Sequence, residues 1–378
     1  LNNLFTYIGG YFVPHFKQKK FVMLKYSDIK SVHIEPTQKC QAACLQCDRN
    51  INGGKDNPYL TGAELSTLDY HIIFRKEFIK QLDHMYMCGN LGDPCISHDS
   101  IYGLEYFRIE NNNMHLSMNT NGGAQDVEWW KELAIIMGRK GHVTFSFDGL
   151  GDTNHLYRQG VNWENCMKNS AAFISKGGRA RWEFIIFDHN QHQIEEAREL
   201  AKKMRFDDFR TKKTGRFFST VKHEGKESHQ GMNRKGQETQ KLEKPKDEYI
   251  NSALKQEKDL VNRYGSMEHY YDVTDINCKS IEKSEIFVTA EGHVFPCCWL
   301  GGQQYKWYWK PKEAPIWNMI KDPLNINAIY NRLENIIEGK FFNMIEKSWS
   351  CSSVKEGKLK VCANKCGTGF DAYKAQWQ

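Results

Sequence analysis

Between residues 31 and 215, short apolar runs alternate with longer amphipathic stretches. The runs at 31–35, 84–87, 114–118, 142–147, 181–187 and, more weakly, 207–212 are rich in β-branched and aromatic residues and predict six strands. Helical spacing fills the gaps. Ile194, Ala197, Ala201 and Met204 fall on one helical face, and 126–137 makes a second helix after the Asn121-Gly122-Gly123 turn. Strand and helix in alternation imply a parallel sheet with helical crossovers. A closed eight-unit barrel takes roughly 250 residues, so this segment predicts an incomplete (β/α)6 barrel, an α/β fold.

Residues 222–249 break the pattern, with 13 charges in 28 positions. They read as a solvated linker, mobile loop or exposed extension, followed by a helical stretch over 246–264. Beyond residue 270 come short strand signals at 285–289 and 293–295 around a Glu291-Gly292 turn. The expected organisation is an N-terminal extension (1–30), the partial barrel (31–215), a charged linker with helical extension (216–270) and a small α+β domain (271–378).

The chain has 378 residues, 40% hydrophobic and 26% charged, with a formal charge of +6. That is enough apolar material for real cores and excludes a disordered chain. No apolar stretch approaches the roughly 20 residues of a membrane span, and the N-terminus lacks a signal peptide's order, so a cytoplasmic protein with no membrane partner is expected. The mild positive charge permits an anionic partner without requiring one.

The 12 cysteines are too sparse for a disulfide-stapled miniprotein, yet they cluster, as ligands do. Cys88, Cys95 and Cys166 read as small buried hydrophobes. Cys40, Cys44 and Cys47 directly follow the first strand. Three thiolates on one loop, leaving a coordination position open, suit an iron-sulfur site; a structural zinc site, which wants a fourth ligand, and coincidence are the other readings.

At this loop the sequence resembles the radical S-adenosylmethionine (SAM) superfamily. The resemblance implies that Cys40, Cys44 and Cys47 hold a 4Fe-4S cluster whose fourth iron chelates SAM, and that reductive cleavage of SAM yields a 5'-deoxyadenosyl radical that abstracts a substrate hydrogen. Gln46 departs from the aromatic residue common before the third cysteine. Gly89-Asn90-Leu91-Gly92-Asp93-Pro94 is similar to the family's glycine-rich segment near the SAM amino group, with Asp93 for the usual Glu; an ordinary turn is the plainer reading. The resemblance also implies SAM contacts from Asn119 and Asn121, from Ser146 and Asp148, from Arg158 to the carboxylate, and from Asn190 to adenine or ribose. Turn chemistry is the structural alternative for Asn119 and Asn121, a surface ion pair for Arg158 and a helix cap for Asn190.

In the last hundred residues, Cys278, Gly292 and Cys297 match C-x(9–15)-G-x4-C, which opens the twitch and SPASM domains of these enzymes. The pattern selects Cys297 and turns Cys298 to the other face of its strand. Cys362 and Cys366 would complete four ligands for an auxiliary 4Fe-4S cluster, with Cys351 as an alternate; four-thiolate zinc is the competing reading. Two clusters and SAM are the implied cofactors, and a flavodoxin or ferredoxin the implied reductant.

The implied substrate is a peptide or protein side chain. Because only about thirty residues precede the first strand, no separate leader-peptide domain is expected, which favours the alternative of a small-molecule alcohol dehydrogenase. The aromatic segment 305–309, with Trp299 and Trp317, reads as packing of the small domain, as a substrate groove, or with the positive charge as a single-stranded RNA surface. A non-catalytic zinc-dependent binding module is the reading outside enzymes. Asp275 and Glu183 are candidates for a base by proximity to motifs.

Overall fold

The computed structural model describes residues 5–8, 11–14, 24–219, 224–225, 227–306 and 315–370. Eight strands form its main sheet: β1 (Ser31–Ile34), β2 (His84–Met87), β3 (His115–Thr120), β4 (Gly141–Ser146), β5 (Ala180–Ile186), β6 (Asp208–Lys213), β7 (Glu285–Val288) and β8 (Val294–Phe295). Their order is β8-β7-β1-β2-β3-β4-β5-β6. All pairings are parallel except β7 with β8, and each of the six expected strands exists with its ends within two residues of the expected ones.

Alternation along these strands makes two unlike faces. Val32, Ile34, Met85, Met87, Leu116, Met118, Val143, Phe145, Trp182, Phe184 and Ile186 are all fully buried in the main core. Among the helices packed there, Val127–Met137 is capped by Asp126, which accepts from Trp129 N, and Trp163–Ser175 by Asn162, which accepts from Asn165 N. The opposite face is polar: Ser31, His33, His84, Tyr86, His115, Ser117, His142, Thr144, Arg181 and Glu183 occupy the intervening positions. Burial keeps the imidazoles neutral, pushing His33 and His84 down to about 4 and His142 to about 3. A lining of this kind suits a polar guest rather than a packed apolar interior.

The C-terminal segment contributes to the same sheet: β7 pairs in parallel with β1 and extends the barrel edge. The charged stretch contains a β-hairpin, Ser228–Met232 with Glu238–Glu243, that packs on the segment following the cysteine trio. Met232 N donates to Asn52 O (2.8 Å), Arg234 pairs with Asp56 (3.1 Å), and a Cβ on Gly231 would stand 2.2 Å from Leu45 Cδ2. Gln240 Nε2 also donates to Leu156 O (2.8 Å). The hairpin is polar on its outer face and buries only Leu242 among its large side chains, which explains why composition alone read as linker. The expected helix over 246–264 begins later, as Ala253–Tyr264, and ends at Gly265 with φ +80°.

Candidate functional site

The loop leaving β1 carries Cys40, Cys44 and Cys47 at the carboxyl end of the parallel strands, the end where α/β sheets bind ligands. Cys44 is buried and the other two are half-buried. A turn joins Cys47 N to Cys44 O (3.0 Å), and Ala43 N bonds Gln159 O (2.8 Å), tying the loop to the region after β4. Donors surround the sulfurs: Ala42 N lies 3.4 Å and Asn121 Nδ2 3.7 Å from Cys40 Sγ, and Arg158 Nη1 lies 3.9 Å from Cys44 Sγ. Desolvation raises all three thiols, Cys44 to about 11, while Arg158 works against it there. Thiols this buried become thiolates only with a strong positive partner, such as iron or zinc, beside them.

The glycine-rich turn after β2 folds against the start of this loop. A Cβ on Gly89 would stand 1.8 Å from Gly92 O, and one on Gly92 would stand 1.9 Å from Thr37 O. Both glycines are therefore required by chain-to-chain approach within the protein, which is a different reason from the approach of a ligand. Asp93 is fully engaged: its carboxylate accepts from Cys95 N (3.0 Å), Thr120 Oγ1 (2.8 Å), Asn121 N (2.8 Å) and Asn121 Nδ2 (2.6 Å). It thereby aims Asn121, whose Oδ1 accepts from Gln41 Nε2 (2.7 Å), at the cysteine loop.

Asp148 is completely buried and accepts from Ile185 N (2.6 Å) and Arg158 Nε (2.7 Å). It is a strut that sets Arg158 beside Cys44. Asn190 is also completely buried; it donates to Asp148 O and Ile185 O (2.9 Å each) and accepts from Phe187 N (2.7 Å), so it braces the end of β5 and makes no helix-cap bond of its own. Asn119 and Ser146 make no side-chain hydrogen bond among the described residues and share the polar face with Glu183. Of the nine expected SAM contacts, Asn119, Ser146 and the Arg158 guanidinium edge have spare capacity for a ligand, while Asp93, Asp148 and Asn190 serve as framework.

Glu35 was not singled out by the sequence. It lies just past β1, is 1% exposed, and accepts from Leu91 N (2.6 Å) and Gly92 N (3.3 Å), clamping the glycine-rich turn to the cysteine loop. Its own N–H bonds Val288 O of β7 (2.9 Å). Burial pushes its carboxyl up to about 8. A carboxylate five residues before the first cysteine was the available signal.

The second thiol group lies in the C-terminal region, where Cys278, Cys297, Cys362 and Cys366 line one small cavity with Trp299, Trp349 and Lys365. The β7–β8 turn at Gly292, φ +82°, returns the chain to Cys297, and helix Lys360–Cys366 places Cys362 and Cys366 one turn apart. Cys278 and Cys366 share this wall, and their proximity favours the Cys278 thiolate at the expense of Cys366. Cys351 does not line this cavity and sits instead near Gly357. Cys298 opens the short helix Cys298–Gly301 and lies toward Cys88. Cys95 and Cys166 are buried, as expected for packing residues. All twelve cysteines are free. Among the described residues no three Cys, His, Asp or Glu groups form a preformed single-ion site.

These thiols fit iron-sulfur ligation by their donor set. Four cysteines surround one apolar cavity whose wall includes Lys365, which makes no ion pair among the described residues, a set compatible with an anionic occupant. The cysteine loop touches this region directly: Lys306 pairs with Asp48, and Asn57 Nδ2 donates to Tyr305 O (2.6 Å). Tyr305 is buried, its hydroxyl on Glu291, and Trp299 and Trp317 pack against the main core; positions 307–309 of the aromatic segment lie outside the described residues. Glu183 faces the polar interior, whereas Asp275 serves through its backbone, accepting from Thr368 N (3.0 Å). No helix of the described residues is long and apolar enough to cross a membrane.

No family model matches the sequence, and no curated protein matches it. Solved structures do resemble the fold. Streptococcus suis SuiB bound to its precursor peptide SuiA superposes with a TM-score of 0.51 at 15% identity, covering 90% of this chain and 73% of that one. The S-adenosylmethionine complex of SuiB gives 0.50 at 15% identity, covering 89% and 72%. The structure of anSMEcpe with bound AdoMet gives 0.50 at 15% identity, covering 92% of each. The chain has the α/β fold of the radical SAM enzymes, a mostly parallel eight-stranded sheet with its cysteine loop after the first strand.

Proposed function

We propose that this chain is a radical SAM enzyme that modifies a peptide or protein side chain. The observation that carries the reading is the placement of Cys40, Cys44 and Cys47 at the carboxyl end of the parallel strands, with Gly89–Asp93, Asn121 and Arg158 folded around them. Together, a 4Fe-4S cluster and SAM supply a hydrogen-abstracting 5'-deoxyadenosyl radical. The chain's own residues hold and orient. Asp148 fixes Arg158 for a carboxylate, Asp93 fixes Asn121, and Asn119 and Ser146 offer uncommitted polar groups. Cys278, Cys297, Cys362 and Cys366 are assigned to an auxiliary 4Fe-4S cluster, with Cys351 left aside. A flavodoxin-like or ferredoxin-like protein is assigned as reductant.

The peptide assignment is supported by SuiB, a fold neighbour whose structure holds a precursor peptide. The polar side chains toward the carboxyl end of the strands, Tyr86, Asn119, Ser146 and Glu183, also suit a hydroxylated small molecule, which sustains alcohol dehydrogenation as the second reading. Incubation with unlabelled SAM and deuterated peptides or polyols, following deuterium into 5'-deoxyadenosine, separates the two. Label from peptides supports the first reading; label only from polyols supports the second; no 5'-deoxyadenosine at all overturns both.

A further inference from the structure

Two polar side chains in the wall of the four-thiol cavity have no other task. Trp349, just past helix Lys340–Ser348, buries its Nε1–H with no hydrogen-bond partner among the described residues and lines the cavity together with Cys362. Lys365 lies between Cys362 and Cys366 on their helix and lines the same cavity. Among the described residues it makes no ion pair or hydrogen bond, and Glu257, the buried carboxylate whose charge it feels, is not bonded to it. Lys306, Lys279 and Arg216 add further positive charge around it.

A buried N–H and a half-buried ammonium without protein partners both gain when an acceptor-rich anion completes the site. Four thiolates with their iron and sulfide are such an anion. Reduction by one electron adds a negative charge, so a nearby ammonium and an N–H aimed at a ligand sulfur both favour the reduced form. Building on the two-cluster reading above, we propose that Trp349 and Lys365 are positioning residues for the auxiliary cluster, a hydrogen-bond donor and a counter-charge that raise its reduction potential and so fit it to accept an electron. The trio has its own cation and donor, Arg158 and Asn121, near its sulfurs, so the contribution of Trp349 and Lys365 is read on the auxiliary cluster alone.

The test is an anaerobic redox titration of the reconstituted full chain, followed by electron paramagnetic resonance, with iron counted on the same samples. A C40A/C44A/C47A background isolates the auxiliary signal. In that background, Lys365→Met and Trp349→Phe should each move the midpoint to more negative potential, with Lys365→Met making electron uptake at least tenfold less favourable, which is about 59 mV. Lys365→Arg should restore it. If Lys365→Met instead loses its irons while Lys365→Arg keeps them, the counter-charge role is supported by retention of the cluster. Unchanged midpoints with full iron in both Lys365→Met and Trp349→Phe would overturn the inference. A trio variant that binds no iron, with all other cysteines intact, would instead overturn the auxiliary-cluster reading beneath it.

Discussion

Replacing Glu35 by Gln tests the clamp between the cysteine loop and the glycine-rich turn. Glutamine keeps the acceptor that Leu91 N and Gly92 N use but removes the ionisable group. The wild-type carboxyl is pushed up to about 8 by burial, from an ordinary 4.5. The folded protein therefore binds a proton that the unfolded chain releases between those values. Stability contributed by the neutral acid is present below the unfolded pKa and falls as pH rises through the folded one, at about 1.4 kcal/mol per pH unit inside the window. Between pH 6 and pH 8 the wild type should lose roughly 2–3 kcal/mol relative to Glu35→Gln. Urea unfolding of the metal-free chain under anaerobic conditions at pH 6, 7 and 8 measures this as a difference between two proteins, so thiol titration common to both cancels. Glu35→Leu, which also strands two backbone N–H groups, should cost about 1–3 kcal/mol at every pH. Parallel pH profiles for wild type and Glu35→Gln would refute the buried neutral clamp.

Gly92→Ala places a Cβ 1.9 Å from Thr37 O and must displace the loop by an ångström or more; SAM affinity by calorimetry should fall at least about tenfold. Asp148→Asn leaves Arg158 without its buried partner and should cost about 3–5 kcal/mol, with Arg158→Met added to it costing less than the sum of the single variants; additive losses would deny the coupling. Gly231→Val drives a side chain into Leu45 Cδ2 and should loosen the hairpin from the cysteine loop, read as faster proteolysis within 228–243 with little change in far-UV circular dichroism. Cys351→Ala should leave the iron content of the reconstituted protein unchanged, since that thiol lies outside the four-thiol cavity.

The strands and the thiol groupings were legible because period-2 alternation and cysteine spacing are local signals. Met85 and Met87 alternate with His84 and Tyr86 within four residues, and Cys362 and Cys366 share a helical face. What escaped depends on partners distant in sequence. Glu35 is a clamp only because residues 91 and 92 return to it, and the hairpin at 228–243 is ordered by Leu45, Asn52 and Asp56, some 180 residues away. The segment Gly89–Asp93 does fold against the cysteine loop, but its glycines answer to backbone crowding and Asp93 to Asn121. Likewise the strand signal at 285–289 is local, but its pairing with β1, some 250 residues earlier, is not.

The central claim is that this chain holds two iron-sulfur clusters, one of them reductively cleaving SAM. Its most direct test is iron and sulfide analysis after anaerobic reconstitution, combined with an assay for 5'-deoxyadenosine under dithionite. The account predicts about eight irons per chain, falling to about four with loss of all 5'-deoxyadenosine when Cys40, Cys44 and Cys47 become Ala. Zinc alone with no SAM cleavage, or cleavage that survives the triple substitution, would contradict it.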